Sequence, residues 1–319
     1  MFDKITITAK VSNDDCTFLE EYHSLKVFKN FNKTEVEYRS SNYSNISGVE
    51  IYIKRSKLIL KTSLHKYWQN KCYSKLRNDN LFTISESKLA FEMLLSENRL
   101  KAESVFITQF EIGLNLNVNY DPLTYIELVR YIVTSSDKDK EMFIDANYRK
   151  NRQKTTEKFK DIRKYFKIYD KGWQLQDKDR ISINKRINAE KILRIETCYK
   201  RCKTVSTEFF VDSNLTKLKT RFYNEWKNIQ FTKKVTGKKG CRDSEVQRAN
   251  ILINNGSAFL LDSIKKEVMK GLLTKNHLRT VREFIRDFDV LKSKFDIIVS
   301  DQENDYNKLL YKTFLASIE

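Results

Sequence analysis

The chain has 319 residues, 40% hydrophobic and 12% aromatic, with 7 glycines and a single proline, which excludes a disordered tail, a collagen-like rod and a Gly/Pro linker. Sixty Lys and Arg against 42 Asp and Glu give a formal charge of +18, a positive field that favours polyanionic partners, nucleic acid above all. Five cysteines (Cys16, Cys72, Cys198, Cys202, Cys241) form no CxxC pair, which argues against a disulfide framework or a zinc knuckle and for a reducing cytoplasm. Cys198 and Cys202 have no histidine near them in sequence, so no metal site is expected there. The opening residues lack the basic start and apolar run of a signal peptide, and no stretch reaches the ~20 apolar residues of a membrane helix. A soluble cytoplasmic protein without a membrane partner is expected.

Taken in chain order, Ile5–Lys10, Val49–Lys54 and Lys57–Leu64 are short, β-branched or apolar, and read as strands. Residues 85–98 open with a Ser cap and carry apolar residues at 89, 90, 93 and 94, the spacing of an amphipathic helix. Val105–Asn117 is the clearest strand. Asp121-Pro122 predicts a helix start, running to about Thr134. A basic irregular stretch, a strand at 163–171, a polar loop and a strand at 191–200 follow. From about 206 the spacing turns helical, over 207–229, 243–253, 257–271, 276–292 and 302–316. The division expected is 1–205 as an α+β unit and 206–319 as a helical accessory region.

Strand parity separates a core face from a polar one. On 105–117 the even positions, Phe106 to Leu116, are nearly all apolar, while Gln109, Glu111, Gly113, Asn115 and Asn117 lie opposite. On 163–171, Phe166 and Ile168 share one face, and Tyr165, Lys167, Tyr169 and Lys171 the other. On 193–200, Leu193, Ile195 and Tyr199 are apolar, with Arg194, Glu196, Cys198 and Lys200 opposite. Paired in one antiparallel sheet with helices covering the apolar face, these strands would expose Glu111, Glu196 and the Tyr/Lys ladder together. Each strand alone is what an ordinary solvated sheet face presents; three with acids, phenols and lysines at their centres suit metal-assisted phosphoryl transfer. Carboxylates hold Mg²⁺ or Mn²⁺, and a tyrosine becomes a nucleophile when nearby positive charge favours its phenolate. Lys171, two residues from Tyr169, is a candidate for that charge.

Residues 148–171 carry ten basic and three acidic residues, and Lys233, Lys234, Lys238, Lys239 and Arg242 form a second cluster. Charge runs are commonly solvated surface, but the first leads into the Tyr169 strand. Arg149, Lys150, Arg152, Lys154, Lys160, Arg163, Lys164, Lys167 and Arg194 are therefore the candidate DNA contacts, suited to phosphates rather than bases.

Ile-Thr-Gln-Phe-Glu-Ile-Gly-Leu-Asn-Leu (107–116), Phe-Lys-Ile-Tyr-Asp-Lys-Gly (166–172) and Leu-Arg-Ile-Glu-Thr-Cys-Tyr-Lys-Arg (193–201), preceded by Leu58–Trp68, occur in this order. Over roughly residues 45–203 they resemble the rolling-circle replication initiators of filamentous-phage gene II type and the related single-tyrosine plasmid initiators. The resemblance implies that Tyr169 attacks one strand of an origin and stays joined to the 5′ phosphate, leaving a free 3′-OH and later rejoining the strand. It implies Glu111 and Glu196 as metal ligands, with Mg²⁺ or Mn²⁺ as the ion; His65, by its place after the Leu58–Leu64 strand, is a candidate third. It also implies origin DNA, a host helicase and single-strand binding protein as partners in a bacterial cell, and leaves room for a homodimer. Two departures stand out: Asn115 replaces an acid found in some plasmid relatives, and with only His23, His65 and His277 in the chain there is no His-x-His pair.

A lone histidine such as His65 at a strand end is more often a packing residue than a ligand. Tyr165 shares the face of Tyr169 and is a second candidate nucleophile or base-stacking platform; Tyr148 suits stacking or packing, and Tyr199 points to the core. Two rival readings remain. One is a tyrosine recombinase built on His277-Leu278-Arg279 with Tyr306 downstream, although no other recombinase motif is present. The other is a non-enzymatic DNA-binding regulator using the same basic surface.

Overall fold

The structure, a computed structural model, describes residues 1–31, 35–39, 48–75, 77–132, 143–144, 164–178 and 190–318. Its centre is a nine-stranded sheet of β1 (Phe2–Lys10), β2 (Lys26–Phe31), β3 (Glu35–Arg39), β4 (Val49–Lys54), β5 (Lys57–Ser63), β6 (Val105–Asn117), β8 (Phe143–Ile144), β9 (Lys164–Asp170) and β10 (Ile192–Val205). The spatial order is β2-β3-β4-β5-β1-β6-β10-β9-β8. Neighbours pair antiparallel, save the short β8, which runs parallel to β9. The fold is thus α+β, with an antiparallel sheet and a C-terminal helical region, as the alternation predicts.

Two helices precede β6, and both are set by their caps. Ser63 ends β5 and caps α2 (Leu64–Tyr73) by accepting from the Lys66 amide. Thr83 and Glu86 close a capping box on α3 (Ile84–Glu97), satisfying amide groups that the first helical turn leaves unpaired. A further helix, α1 (Asn13–Tyr22), is boxed by Ser12 and Asp15. Its apolar stripe is thin, so periodicity does not reveal it.

Three expected boundaries move. The helix begun at Pro122 is short: α4 (Pro122–Leu128) gives way to β7 (Val129–Ile132), which pairs with β11 (Ile229–Phe231). Val129 and Ile132 are buried, and strand pairing with a distant partner overrides the helical reading. The strand at 163–171 ends at Asp170, whose carboxylate accepts from the Trp173 amide at 2.9 Å, and the expected polar loop begins as helix α5 (Lys171–Lys178). In the last third, α6 (Ser206–Phe209), α7 (Asp212–Lys227), α8 (Asp243–Met269, kinked at Gly256), α9 (Lys275–Arg286), α10 (Phe288–Leu291) and α11 (Asp301–Ala316) are interrupted by β12 (Lys234–Gly237) and β13 (Phe295–Ile298), too short to show alternation.

Sequence register decides which face is buried. Ile5, Ile7, Ile107, Phe110, Phe166, Ile168 and Ile195 point to the helical side and form the core with Phe91, Phe209, Trp226 and Leu310. Phe166 meets Trp226 edge-on at 5.9 Å between ring centroids, and Phe110 stacks on Tyr199 at 4.5 Å. This core draws on α6, α7 and α11 as well as the sheet, whereas Val235, Ala249, Phe284 and Phe295 form a small separate core. Among the described residues no helix is long and apolar enough to cross a membrane.

Candidate active site

Register turns parity into contact. In the β6–β10 ladder Glu111 faces Cys198, Gly113 faces Glu196 and Asn115 faces Arg194. In the β10–β9 ladder Arg194 faces Tyr169, Glu196 faces Lys167 and Cys198 faces Tyr165. Residues directly opposite in an antiparallel pair share a face, so all of these stand on the side away from Phe110 and Phe166.

The side chains form one connected network. Tyr169 donates its hydroxyl to Oε1 of Glu196 at 3.0 Å. Lys167 Nζ reaches Oε1 of Glu111 at 3.1 Å and Oε2 of Glu196 at 3.2 Å, bridging the two acids. Arg194 donates from Nε to Glu196 at 2.9 Å, from Nη1 to Asn115 at 2.9 Å and from Nη2 to Asp3 at 2.5 Å. Asn78 donates to Asp3 at 3.1 Å and accepts from Lys171 at 2.7 Å. Instead of standing exposed, as expected, the acids are closed over: Glu111 is 5% and Glu196 3% exposed. They lie among charged partners rather than apolar ones, the condition under which buried carboxylates persist.

Electrostatics follow from this closure. Burial opposes ionisation of Glu196, but Lys167 and Arg194 outweigh it and hold the carboxyl at about 2. Burial likewise works against the Lys167 ammonium, and Glu196 and Glu111 reverse this, raising its pKa well above the usual lysine range. Tyr169 is pushed well up by burial and by Glu196, so it rests as a neutral phenol. Lys171 is lowered to about 7, chiefly by burial and then by Arg194. Cys198 is a buried thiol, raised by burial and by Glu111.

One ligand atom each from Glu111, Glu196 and Cys198 lies within 4.8 Å of the others. Ligands about 2.4 Å from a common cation are separated by no more than this, so the donor set fits a divalent ion by distance. The Lys167 ammonium bridges the carboxylates, and a cation and that ammonium compete for the same charge. Cys198 is the donor that sequence reading missed: its spacing to Cys202 carries no signal, and only its register opposite Glu111 brings it in. Asp3 was missed as well, because a single acid in an N-terminal strand has no visible partner until β1 is seated beside β6.

Several expected roles change place. His65 is not among these ligands; its Nε2 lies 2.7 Å from Asn80 Oδ1 and its ring stacks on Phe82 at 4.5 Å. Arg194, expected on a DNA backbone, is 2% exposed and committed to Asp3, Glu196 and Asn115. Lys164 lies on the helical side, ion-paired with Glu225 and over the Phe166 ring. Lys167 serves the acid pair, and Lys171 contacts Asn78 and Gln174 from the first turn of α5 rather than supplying charge to the Tyr169 hydroxyl. Arg149, Lys150, Arg152, Lys154, Lys160 and Arg163, with Tyr148, lie outside the described residues. Tyr165 does share the Tyr169 face, with Lys200 Nζ 4.8 Å from its ring centroid.

Tyr306 is fully buried and donates to the Trp226 carbonyl at 3.1 Å, while His277 caps α9 with Thr274. Neither is placed as a recombinase nucleophile or its partner. Beside the network, a cavity of about 310 Å³ is lined by Asp3, His65, Asn80, Asn115, Arg194 and Lys312 among others. Comparison with protein-family models, curated proteins and solved structures returns no match.

Proposed function

We propose that this chain is a rolling-circle replication initiator that nicks one DNA strand with Tyr169. The observation that carries this reading is the 3.0 Å hydrogen bond from the Tyr169 hydroxyl to Glu196, a carboxylate that also belongs to the Glu111–Glu196–Cys198 donor group. A nucleophile held against one ligand of a cation site is the arrangement that metal-assisted transesterification requires.

Glu111 and Glu196 would hold the ion, Mg²⁺ or Mn²⁺, with Cys198 adding a sulfur donor for the softer of the two, and the ion when bound would polarise the scissile phosphate and stabilise the leaving oxygen. Lys167, displaced from the acids, would pass to the phosphate of the bound strand, while Glu196 stays ionised and remains the acceptor of the Tyr169 hydroxyl bond. Oε1 of Glu196 then takes the phenol proton as Tyr169 Oη forms its bond to phosphorus. The bond from phosphorus to the 3′ oxygen breaks, and that oxygen receives the proton. A 5′-phosphotyrosine and a 3′-OH result, and the reverse sequence rejoins the strand. Arg194 holds Glu196 in place through its bonds to Asp3 and Asn115. The setting proposed is the cytoplasm of a bacterial host, with origin DNA, helicase, single-strand binding protein and a second copy of the chain as partners.

The decisive experiment incubates the protein with supercoiled DNA carrying the sequence around its own coding region, with Mn²⁺, with Mg²⁺ and with EDTA. The expected result is a metal-dependent nick and a covalent adduct mapped by mass spectrometry to Tyr169, both absent in Tyr169→Phe. An adduct on another tyrosine, or nicking that persists in Tyr169→Phe, overturns the assignment. The bridging of both acids by Lys167 favours a second reading, a DNA-binding regulator without chemistry. Tight binding with no nick under any metal condition would select it.

A further inference from the structure

The polar face of the sheet continues beyond the Tyr169 network onto β4, β5 and β1. Tyr52 faces Ile59, Ile59 faces Thr8 and Thr8 faces Phe106, so the four form one row across four strands. A second row sets Lys54 opposite Lys57 and Lys57 opposite Lys10. On the other side of the apolar row, Lys61 faces Thr6 and Thr6 faces Gln109, which itself faces Lys200. A register shift between Thr6 and Ile7 turns Phe106 onto the face of Gln109, against the uniform parity expected for 105–117, so this region shares the face of Glu111 and Cys198.

The apolar row floors a concavity of about 1200 Å³, whose lining includes Lys10, Lys54, Arg55, Lys57 and Lys61 and, among the described residues, no carboxylate. Tyr52, Ile59 and Phe106 are half-buried in it, and Lys10, Lys54 and Lys57 are exposed. Acids stand only at its margin: Glu37 faces Lys54 in the β3–β4 ladder, and Glu50 accepts from the Tyr52 hydroxyl at 3.1 Å and stands 3.9 Å from Lys61. Lys61 Nζ also lies 4.7 Å from the Tyr52 ring centroid. Two aromatic rings on an open sheet, flanked by cations, match what an unpaired nucleic acid strand offers: flat bases to stack and a phosphate chain to neutralise.

We propose that this concavity binds single-stranded DNA, with bases on Tyr52 and Phe106 and phosphates along Lys10, Lys54 and Lys57. Three strand spacings separate β4 from β6, about 14 Å, roughly four times the 3.4 Å base rise of a stacked duplex. Duplex bases are stacked on one another and cannot reach the rings, so the surface selects the unpaired strand. The choice of DNA over RNA rests on the nicking function proposed for the same face; the binding of a single strand does not depend on it. Such a platform would hold the strand that a nick at Tyr169 makes available.

The test measures fluorescence anisotropy of labelled oligo-dT of 20 nucleotides, a 20-base-pair duplex and oligo-rU of 20 nucleotides. It uses Tyr169→Phe protein in EDTA, so that no cleavage enters the readout. The expected order is oligo-dT tightest, at least tenfold over the duplex. Tyr52→Leu, which keeps apolar bulk without a ring, loses about 5- to 100-fold. Lys10→Ala/Lys57→Ala, at two exposed positions, reduces the slope of log affinity against log salt by about 1.4. Unchanged binding in both variants overturns the proposal, as does equal affinity for duplex, tighter binding of oligo-rU, or displacement by an acidic peptide as effective as oligo-dT. None of these outcomes alters the adduct result at Tyr169, so the two proposals fail separately.

Discussion

Gly113 lies against the Arg194 guanidinium: a β-carbon at 113 would stand 2.8 Å from Nη2 of Arg194 and 3.0 Å from Cγ of Glu196. The third neighbour is the Ile195 carbonyl at 3.0 Å, which is backbone and cannot swing aside. Gly113→Ala is expected to destabilise the protein by about 1–3 kcal/mol through overpacking and to disturb the Arg194–Glu196 pair. Urea unfolding checks the first effect and the nicking assay the second. A loss below about 0.5 kcal/mol, the range of inconsequential surface changes, would mean that the pair has slack.

Lys167 sets the state of the acid pair. Lys167→Met leaves Glu111 and Glu196 facing each other without their common cation, at an expected cost of about 3 kcal/mol in metal-free buffer. Since ammonium and divalent ion compete, the variant should bind Mn²⁺ at least tenfold more tightly than the parent. Mn²⁺ should also restore its melting temperature, while the parent gains little. Thermal unfolding with Mn²⁺ and with EDTA reads both, and equal Mn²⁺ responses in the two proteins contradict the competition.

Donor chemistry bears on which ion enters. Two carboxylates and a thiol suit a borderline cation better than Mg²⁺, which prefers oxygen. Cys198→Ser should therefore weaken Zn²⁺ or Cd²⁺ binding at least tenfold and leave Mg²⁺ binding nearly unchanged, as measured by calorimetry. With Co²⁺, a sulfur-to-metal absorption band should appear in the parent and vanish in Cys198→Ser. Absence of that band in the parent would remove the thiol from the site.

Stability should climb with pH in two windows. Burial lowers His65 from its ordinary 6.5 to about 4, so between these values the unfolded chain binds the extra proton. The His65 contribution is therefore complete above about 6.5 and is lost as the pH drops to 4, by about 3 kcal/mol. Lys171, lowered from 10.5 to about 7, works the same way at higher pH: unfolded Lys171 keeps its proton while the folded amine releases it. Stability thus rises again from pH 7 towards 10. Denaturation across pH 4–10 should show both slopes, with His65→Asn flattening the lower one and Lys171→Met the upper.

Much of the sheet could be read from alternation alone. Val105–Asn117 has the predicted bounds, and the shared face of Glu111, Glu196 and Tyr169 follows from parity on three strands. Parity, however, names a face and not a neighbour. That Arg194 would meet Asp3, 191 residues away, depends on β1 inserting between β5 and β6, which no local pattern encodes. The same gap hides the closure of the site. A cation on a polar face reads as a surface group until a buried acid is placed beside it, which is how Arg194 and Lys167 came to be expected on DNA. β7, β11, β12 and β13 are 3 or 4 residues long, below the length at which a period can be seen.

The connected charges also act as a check on strand alignment. Sliding β10 by a single residue against β6 would turn Arg194 and Glu196 towards Phe166 and Trp226, stranding two ions in hydrocarbon. Misaligned forms of this wide sheet are thus excluded by several kcal/mol. The residues proposed to cut DNA would at the same time be the ones that tell the polypeptide which of its many possible pairings is the native one.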